Sequence, residues 1–445
     1  MRFIECNTDI EWFQDMLSES DSIWIPVFSS SHLHYVNNPV SLVYVYFIDK
    51  EERAVLPVNH LDALSIDMNA IGACSHSHNI FVYRKKWMPL WVPKESYDIE
   101  LVYWLNNNSH LPIEKIREGY SSYLERWYSS VMSDNKIIPI TKHIEYCDRL
   151  LELFLPEVKR FETDSVSDIY NGLVLDSLKI LESNGICVNE KRFRQMFTKY
   201  PLRGNLVHSL YNIYTTTGRP SNNFGTVNFA ALNKEDGSRE VFVSRFDGGK
   251  LFEFDFDSFH LRLISQCVGY SFDEESIHEH FAKIYFQKDT IDADEYEVAK
   301  QITFKQVFGG TDPEYQDIEL FKRVKDLTRN LWTTFITRGY IETPVFGRKL
   351  YASNFSDITN NKLFNYYLQA LEFETGILVI NEINEYLKQY NSKLVLYTYD
   401  SFLFDVDPAE GKNVLIGIYN ILSSKYPVKV KAGTDYQHMK SLVMR

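Results

Sequence analysis

Runs of β-branched and aromatic residues predict strands at three places along the chain. Between residues 20 and 60 the segments SIWIPVF, SLVYVYFI and AVLPV are separated by polar or turn-forming residues, which predicts a small meander of strands. The segment LFEFDFD at 251–257 alternates phenylalanine with acidic residues, as expected for a strand with one buried face. KLVLYTYDSFLFDVD at 393–407 predicts two apolar strands joined by a short turn.

Helical periodicity covers much of the remaining sequence. It is lost between residues 200 and 250, where glycine, asparagine, threonine and arginine accumulate. The order of the predicted elements indicates an α+β architecture, with helices inserted between strands of one sheet. Helices are predicted at 112–131, 143–155, 167–184, 274–340 and 360–388.

Composition limits the class of protein. The chain has 445 residues, 44% hydrophobic and 15% aromatic, which is enough for two or three domains with apolar cores. A formal net charge of −13 argues against binding nucleic acid or anionic membrane by bulk charge, so any nucleic-acid site would be local. Five scattered cysteines without a CxxC pair fit reduced thiols. No apolar run approaches the roughly 20 residues that cross a bilayer. These features predict a soluble intracellular protein with no membrane partner.

Acidic residues stand out in two of the predicted strand segments. In a strand, Glu253, Asp255 and Asp257 share one face, and like charges at this spacing repel unless solvent or a cation relieves them. Asp400 lies at the tip of the predicted hairpin, with apolar residues on both sides. Acids brought together from these segments are the ligands that a pair of hard divalent cations requires. The alternatives are an amphipathic strand that faces water and an ordinary turn residue.

A helix between these segments carries a mixed stripe. In YEVAKQITFKQVFGG at 296–310, Lys300, Phe304 and Phe308 are spaced four residues apart and share one helical face, which ends at two glycines. A lysine there can bind a triphosphate, and the aromatic rings can stack on a base. An apolar core stripe with a lysine whose amine reaches solvent is the alternative.

Taken in order, these and neighbouring segments resemble family A DNA polymerases, the bacterial polymerase I type. The resemblance runs from about residue 150 to the C-terminus. It implies a right-hand polymerase fold with a palm built on an antiparallel sheet and with helical fingers. The matching segments are TTTGRPSNNFGTVNFA at 215–230, DFDSFHLRLIS at 255–265, SIHEHFAKIYF at 276–286, the helix at 296–310, YIETPVFGRKLY at 340–351, and NYYLQ at 365–369 with the Asp400 hairpin.

The resemblance also implies roles for individual residues. Asp255 and Asp400 would be the catalytic carboxylates and would bind two Mg²⁺ ions, or Mn²⁺, together with the backbone carbonyl of Phe256. The implied partners are primer-template DNA and deoxynucleoside triphosphates. The implied nucleotide-binding residues are Lys300, His278, Phe304, Phe308 and His260, and the implied primer- or template-binding residues are Arg219, Asn228, Asn365 and Gln369.

Several positions depart from the family pattern. His260 stands where the family usually has a glutamate that excludes the ribose hydroxyl, so a polymerase that accepts ribonucleotides is an alternative. Tyr296 replaces a phosphate-binding arginine, and Tyr399 and Ser401 flank Asp400 where the family commonly has histidine and glutamate. The two carboxylates and Lys300 remain, which favours an active enzyme.

The thumb is predicted to be reduced. Between Phe193 and Thr217 there are few residues where the family inserts a long helical thumb that wraps the duplex. Because duplex binding depends on phosphate contacts over several base pairs, we expect weak, salt-sensitive binding and short products unless a processivity or replisome partner replaces the thumb.

The N-terminal part resembles, more distantly, the proofreading 3′–5′ exonuclease domain that precedes this polymerase module. The segment YDIELVYWLNN at 97–107 supports this resemblance. Such exonucleases need several carboxylates for two metal ions. However, no aspartate or glutamate occurs from Ser22 to Ile48, Asp98 matches one later acid, and Asp148 only lies near another. We therefore expect a degenerate domain without proofreading.

The sequence therefore predicts a DNA-directed DNA polymerase, a nucleotidyltransferase that adds deoxynucleotides to a primer 3′-hydroxyl. The alternative is a non-catalytic DNA-binding scaffold for replication or repair that retains the polymerase fold. A trimmed and diverged module suggests a bacterial virus as the source and the bacterial cytoplasm as the location. The predicted regions are a degenerate exonuclease-like domain at 1–150, a reduced thumb with the start of the palm at 151–220, palm at 221–290, fingers at 291–360 and palm again at 361–445.

Overall fold

A computed structural model describes residues 1–30, 33–66, 71, 78–88, 95–113, 134–221, 226–272, 276–310 and 312–444. The helix predicted at 112–131 lies outside these ranges from residue 114 onward. The chain forms two compact units. Unit 1 comprises Met1–Tyr214, Ser221–Arg245 and Asp435–Gln437, and unit 2 comprises Thr215–Pro220, Phe246–Thr434 and His438–Arg445.

Unit 1 contains a mixed sheet whose described strands follow the order β1-β4-β3-β2-β5-β6. The predicted meander is confirmed, because β2, β3 and β4 pair antiparallel in sequence order. Both central strands, β2 and β3, are buried along their whole length, which explains why they are continuous apolar runs. The strands are β1 (Arg2–Phe3), β2 (Ser22–Phe28), β3 (Val40–Phe47), β4 (Glu52–Pro57), β5 (Ile80–Val82) and β6 (Tyr97–Asp98).

Helices cover both faces of this sheet. Phe13 of α1 packs with Trp24 and Phe47 on one face, and Phe154 of α3 packs with Tyr44 on the other. The helices predicted at 143–155 and 167–184 are confirmed, although a π-helical turn at Tyr170–Val174 joins α4 to α5. The helices are α1 (Asn7–Glu19), α2 (Ile99–Asn107), α3 (Ile140–Lys159), α4 (Ser165–Ile169), α5 (Leu175–Asn184) and α6 (Glu190–Met196), and a small antiparallel sheet consists of β7 (Ile186–Val188), β8 (Leu206–Val207) and β9 (Phe242–Val243).

Unit 2 is built on an antiparallel sheet with the order β13-β14-β10-β15-β16. The alternation of LFEFDFD is confirmed, since Phe252, Phe254 and Phe256 are buried while Glu253 and Asp255 are only partly buried. The strands are β10 (Lys250–Phe256), β11 (Tyr340–Glu342), β12 (Lys349–Tyr351), β13 (Lys393–Thr398), β14 (Ser401–Val406), β15 (Val428–Gly433) and β16 (Lys440–Leu442), with β11 and β12 forming a separate hairpin.

Helices of unit 2 differ from the prediction in one respect. The helical stretch predicted at 274–340 is three helices, α8, α9 and α10, because a capping box at Asp292 begins α9 and short connections separate the helices. The helix predicted at 360–388 is confirmed as α11, which is largely buried. The helices are α7 (Phe259–Cys267), α8 (Ile277–Phe286), α9 (Ala293–Phe308), α10 (Glu319–Arg338), α11 (Asn360–Leu387) and α12 (Gly411–Ser423).

Two further properties concern the cysteines and the helices. Among the described residues, Cys6, Cys147, Cys187 and Cys267 form no disulfide. Across the described ranges, the structure contains no helix with the length and hydrophobicity needed to span a membrane.

Candidate active site

The structure brings Asp255, on strand β10, close to Asp400, which lies in the turn before the neighbouring strand β14. Strand β10 pairs antiparallel with β14, with Asp255 opposite Ser401, and the Phe256 amide donates a hydrogen bond to the Asp400 carbonyl at 3.0 Å. Asp400 follows Tyr399 in the tight turn between β13 and β14, and Tyr399 adopts a left-handed conformation with φ 63°. The two distant segments that carry these acids are therefore neighbours in the sheet.

Burial and electrostatic repulsion raise the pKa of both carboxyls. Burial, and then the charges of Asp400 and Glu253, raise the pKa of Asp255 to about 7. Burial, and then the charge of Glu372, raise the pKa of Asp400 above its usual range. The folded protein therefore holds two carboxyl groups in an arrangement that a bound cation would stabilise.

The other two acids of this row, Glu253 and Asp257, are neutralised by lysines of the neighbouring strand β15. Lys431 of β15 pairs with Glu253 at 3.2 Å, and Lys429 pairs with Asp257, which Arg262 also approaches at 3.5 Å. At two of the three positions in the acidic row, the positive charge that relieves the repulsion is therefore a lysine side chain of β15. Within the described part of the chain, Asp255 is the member of the row without an ion pair.

The site offers two carboxylates rather than a full set of metal ligands. Among the described residues, no cluster of three or more histidine, cysteine, aspartate or glutamate side chains is arranged to hold a metal ion. Mg²⁺ in phosphoryl-transfer sites is held by one or two carboxylates together with substrate phosphates, rather than by a protein cage. The raised pKa values of Asp255 and Asp400 therefore fit such an ion. Phe256, whose ring is buried, could contribute only its backbone carbonyl.

The aromatic stripe of α9 is confirmed as a partly exposed surface. The rings of Phe304 and Phe308 stack with centroids 5.9 Å apart. The buried face of α9 is formed by other residues, so the stripe is not the core-facing side, and Lys300 keeps 42% of its side chain exposed. The buried residues of this helix are Ala299, Thr303, Gln306 and Val307.

His278 of α8 joins this stripe. Its ring lies 5.8 Å from Phe304 and 5.6 Å from Tyr296. Burial, and then the charge of Lys300, lower the pKa of His278 to about 4, so its imidazole is neutral near pH 7. The structure thus groups His278, Lys300 and Phe304, three of the residues expected to bind a nucleotide.

Glu372 was not anticipated from the sequence. This residue of α11 is 1% exposed, and it pairs with Arg219 at 2.8 Å and with the His260 ring at 3.1 Å. Arg219 also lies over the Tyr399 ring, 3.6 Å from its centroid. The available signal was an acid inside the apolar run YYLQALEF, where a buried carboxylate requires partners.

The remaining expected DNA-binding residues fall in different places. Asn365 and Gln369 lie on α11, and Gln369 accepts a hydrogen bond from the Thr217 hydroxyl at 3.3 Å. The Asn365 side-chain oxygen is buried without a hydrogen-bond partner among the described residues. Asn228 belongs to unit 1, where it precedes a short 3-10 turn.

The two acids of unit 1 considered for exonuclease activity have structural partners. Asp98 caps α2 and is fully buried, and its carboxylate accepts hydrogen bonds from the Lys85 and Leu101 amides and the Tyr214 hydroxyl at 2.7 to 3.1 Å. Asp148 accepts a hydrogen bond from the Tyr44 hydroxyl and forms an ion pair with Arg53. Asp98 is therefore enclosed, whereas the partly exposed Asp148 contacts both of its partners through Oδ1.

Asp98 lines a cavity of about 640 Å³ in unit 1. Glu100 lines the same cavity, and burial raises the pKa of this carboxyl to about 7. The Arg84 guanidinium lies 4.0 Å from Glu100 and stacks on the Trp87 ring. The cavity is therefore lined by two acids: Asp98, which accepts hydrogen bonds, and Glu100, which faces Arg84.

Comparison with known proteins identifies the fold. No protein-family model matches the chain, and no curated protein matches it by sequence. Among solved structures, the chain is similar to the POL domain of Pol1 from M. smegmatis in complex with DNA primer-template and dNTP. The TM-score is 0.71 with 13% sequence identity, and the alignment covers 98% of this chain and 99% of that one. The chain therefore has the fold of a polymerase domain, which confirms the predicted α+β fold class.

Proposed function

We propose that this chain is a template-directed DNA polymerase that adds deoxynucleotides to a primer 3′-hydroxyl. The observation that carries the proposal is the proximity of Asp255, on β10, to Asp400, in the turn before the adjacent strand β14, within a polymerase-domain fold. The raised pKa values of these carboxyls support a cation between them. The lysine and aromatic stripe of α9 supports nucleotide binding within the same unit.

Asp255 and Asp400, with the Phe256 carbonyl, would hold two Mg²⁺ ions, and Mn²⁺ is a suitable substitute. When bound, these ions lower the pKa of the attacking hydroxyl and stabilise the leaving pyrophosphate. Lys300 would bind the triphosphate by charge. His278, neutral near pH 7, would donate a hydrogen bond to a phosphate oxygen without adding charge.

The aromatic residues would position the nucleoside. Phe304 presents a ring face for stacking, and Phe308, with the His260 ring 5.9 Å away, would border the sugar and the template base. Because His260 is an imidazole held by Glu372, we expect the sugar selectivity to depend on this pair. Arg219, Asn228, Asn365 and Gln369 are the proposed contacts to primer and template.

The division into palm, fingers and reduced thumb follows the same proposal. The five-stranded sheet of unit 2 would be the palm, and α9 with α10 would be the fingers. With a reduced thumb, we expect the enzyme to need low salt or a processivity partner for long products. The exonuclease-like domain would be structural, which the hydrogen-bonded state of Asp98 supports.

Extension of a labelled primer on a longer template, with deoxynucleotides and Mg²⁺ at low salt, tests the proposal. We expect the native protein to extend the primer and Asp255→Asn and Asp400→Asn to lose extension. Glu253→Gln is the matched control, because Glu253 shares the strand face but is paired with Lys431. DNA binding without extension, unchanged by these substitutions, would instead support the non-catalytic scaffold.

A further inference from the structure

Glu372 is a buried acid whose two partners lie beside the proposed metal ligands. A carboxylate that is only 1% exposed is costly unless it is paired, and Glu372 is paired twice, with Arg219 and with His260. Its own helix, α11, contains none of the proposed metal ligands. The position of Glu372 in an apolar helix therefore does not explain why its carboxylate is buried between these two partners.

Both partners of Glu372 border the residues that carry Asp255 and Asp400. Arg219 stacks on Tyr399, the residue before Asp400 in the tight turn. His260 lies in the first turn of α7, which follows strand β10 and Asp255. Both basic side chains are near enough to Asp400 to lower its pKa. Within the described ranges, however, neither forms an ion pair with Asp400, and both pair with Glu372.

We propose that Glu372 is a positioning residue that holds Arg219 and His260 away from Asp400 and so keeps the Asp400 carboxylate available to a divalent cation. Without Glu372, the Asp400 carboxylate is the adjacent anion with which these two groups can form charge-assisted hydrogen bonds. Such bonds would occupy the oxygens that a metal ion needs. The inference rests on the proposed function in assigning metal binding to Asp400, but it does not require turnover.

Mn²⁺ binding to the full chain, without DNA or nucleotide, tests this role. Free Mn²⁺ is followed by its electron paramagnetic resonance signal during titration. Asp400→Asn defines the site, because it should abolish the binding that depends on Asp400. We expect Glu372→Gln, which keeps the shape and removes the charge, to weaken this binding about 10-fold or more, the size typical of residues that support metal ligands. Glu382→Gln is the control on the same helix, since Glu382 is exposed and pairs with Lys425 at 3.2 Å.

A rescue experiment tests whether Arg219 and His260 mediate the effect of Glu372→Gln. The triple variant Glu372→Gln/Arg219→Gln/His260→Gln also removes the two groups that would occupy Asp400. We expect its Mn²⁺ affinity to return to within about 3-fold of the native value. This variant also serves if Glu372→Gln alone does not fold, because it removes Glu372 together with both of its partners.

Three results would overturn the inference. They are unchanged Mn²⁺ affinity in folded Glu372→Gln, weak affinity in the triple variant, and native protein that binds no Mn²⁺ through Asp400. Failure of the proposed function is distinguishable, since it would appear as absent primer extension by native protein that still binds Mn²⁺ through Asp400. In that case the positioning role of Glu372 would still hold, and the proposal of polymerase activity would be rejected.

Discussion

Asp255 combines a proposed catalytic role with an unfavourable environment. It is opposed by the charges of Asp400 and Glu253 and has no ion pair within the described part of the chain, whereas the other acids of β10 are paired with Lys429 and Lys431. A charged carboxylate that is buried beside other acids lowers the stability of the folded protein, and a bound cation would relieve this cost. The balance between these effects depends on pH.

Asp255→Asn should therefore stabilise the metal-free protein at neutral and alkaline pH. The folded-state pKa of Asp255 is about 7 instead of 3.8, so the stability associated with its protonated form is present below pH 4 and is lost as the pH rises through 7. We expect the Tm of the variant to exceed that of native protein by about 1 °C at pH 8, for an effect of ~1 kcal/mol in a chain of 445 residues. The difference should disappear near pH 4. Thermal unfolding in EDTA across this pH range measures it.

Added Mg²⁺ provides the control for this experiment. At pH 8 the ion should raise the Tm of native protein and leave that of Asp255→Asn unchanged, because binding to the folded state stabilises it. A native protein that is more stable than the variant at pH 8 in EDTA would contradict the electrostatic account of Asp255.

At the level of single elements, helix α9 carries two lysines for which the proposal expects different roles. Lys300 shares the stripe with Phe304, whereas Lys305 points to another face and pairs with Asp312 at 2.9 Å. We expect Lys300→Ala to raise the KM for deoxynucleotides about 10- to 100-fold, the effect of losing a charge-assisted hydrogen bond to phosphate. Lys305→Ala should change the KM less than about 2-fold, as is usual for an exposed ion pair. Steady-state extension kinetics give both values, and equal effects of the two substitutions would refute the assignment of the stripe.

Helix α11 depends on a close approach to β13 at Gly376. A methyl group added at this glycine would overlap the hydroxyl of Tyr397. Alanine favours a helix over glycine by about 1 kcal/mol, but overpacking costs about 1–3 kcal/mol, so we expect Gly376→Ala to destabilise the protein. Adding Tyr397→Phe should recover part of the loss. Urea unfolding measures these changes, and Gly172→Ala is the control, since no atom lies within 4 Å of the added methyl. Equal stabilisation by both alanines would contradict the packing.

These elements also show what the sequence could reveal. Strand β10, the Asp400 hairpin and the α9 stripe were predictable because their patterns are local and periodic. The pairing of β10 with β15, which supplies Lys429 and Lys431, was not, because strand order depends on contacts between distant segments. Glu372 was missed for the same reason, since its meaning depends on Arg219 and His260. The helices within 274–340 were merged because their loops are short.

For the whole molecule, the main question outside the proposed polymerase site is whether unit 1 degrades DNA. We expect native protein to release no nucleotides from the 3′ end of labelled single-stranded DNA in Mg²⁺, since the buried Asp98 carboxylate already accepts hydrogen bonds from Lys85, Leu101 and Tyr214. Asp98→Ala should lower stability by about 1–3 kcal/mol through unsatisfied buried donors, without changing primer extension. Release of 3′ nucleotides that disappears in Asp98→Ala would show an active nuclease instead.

Template-directed addition of a single nucleotide tests the central claim most directly. Four primer-templates that differ in the first unpaired template base are each offered the four deoxynucleotides separately, with Mg²⁺ at low salt. The account predicts addition of the complementary nucleotide in each case and its loss in Asp255→Asn and Asp400→Asn. Addition that ignores the template base, or binding of every primer-template with no addition, would contradict a template-directed polymerase.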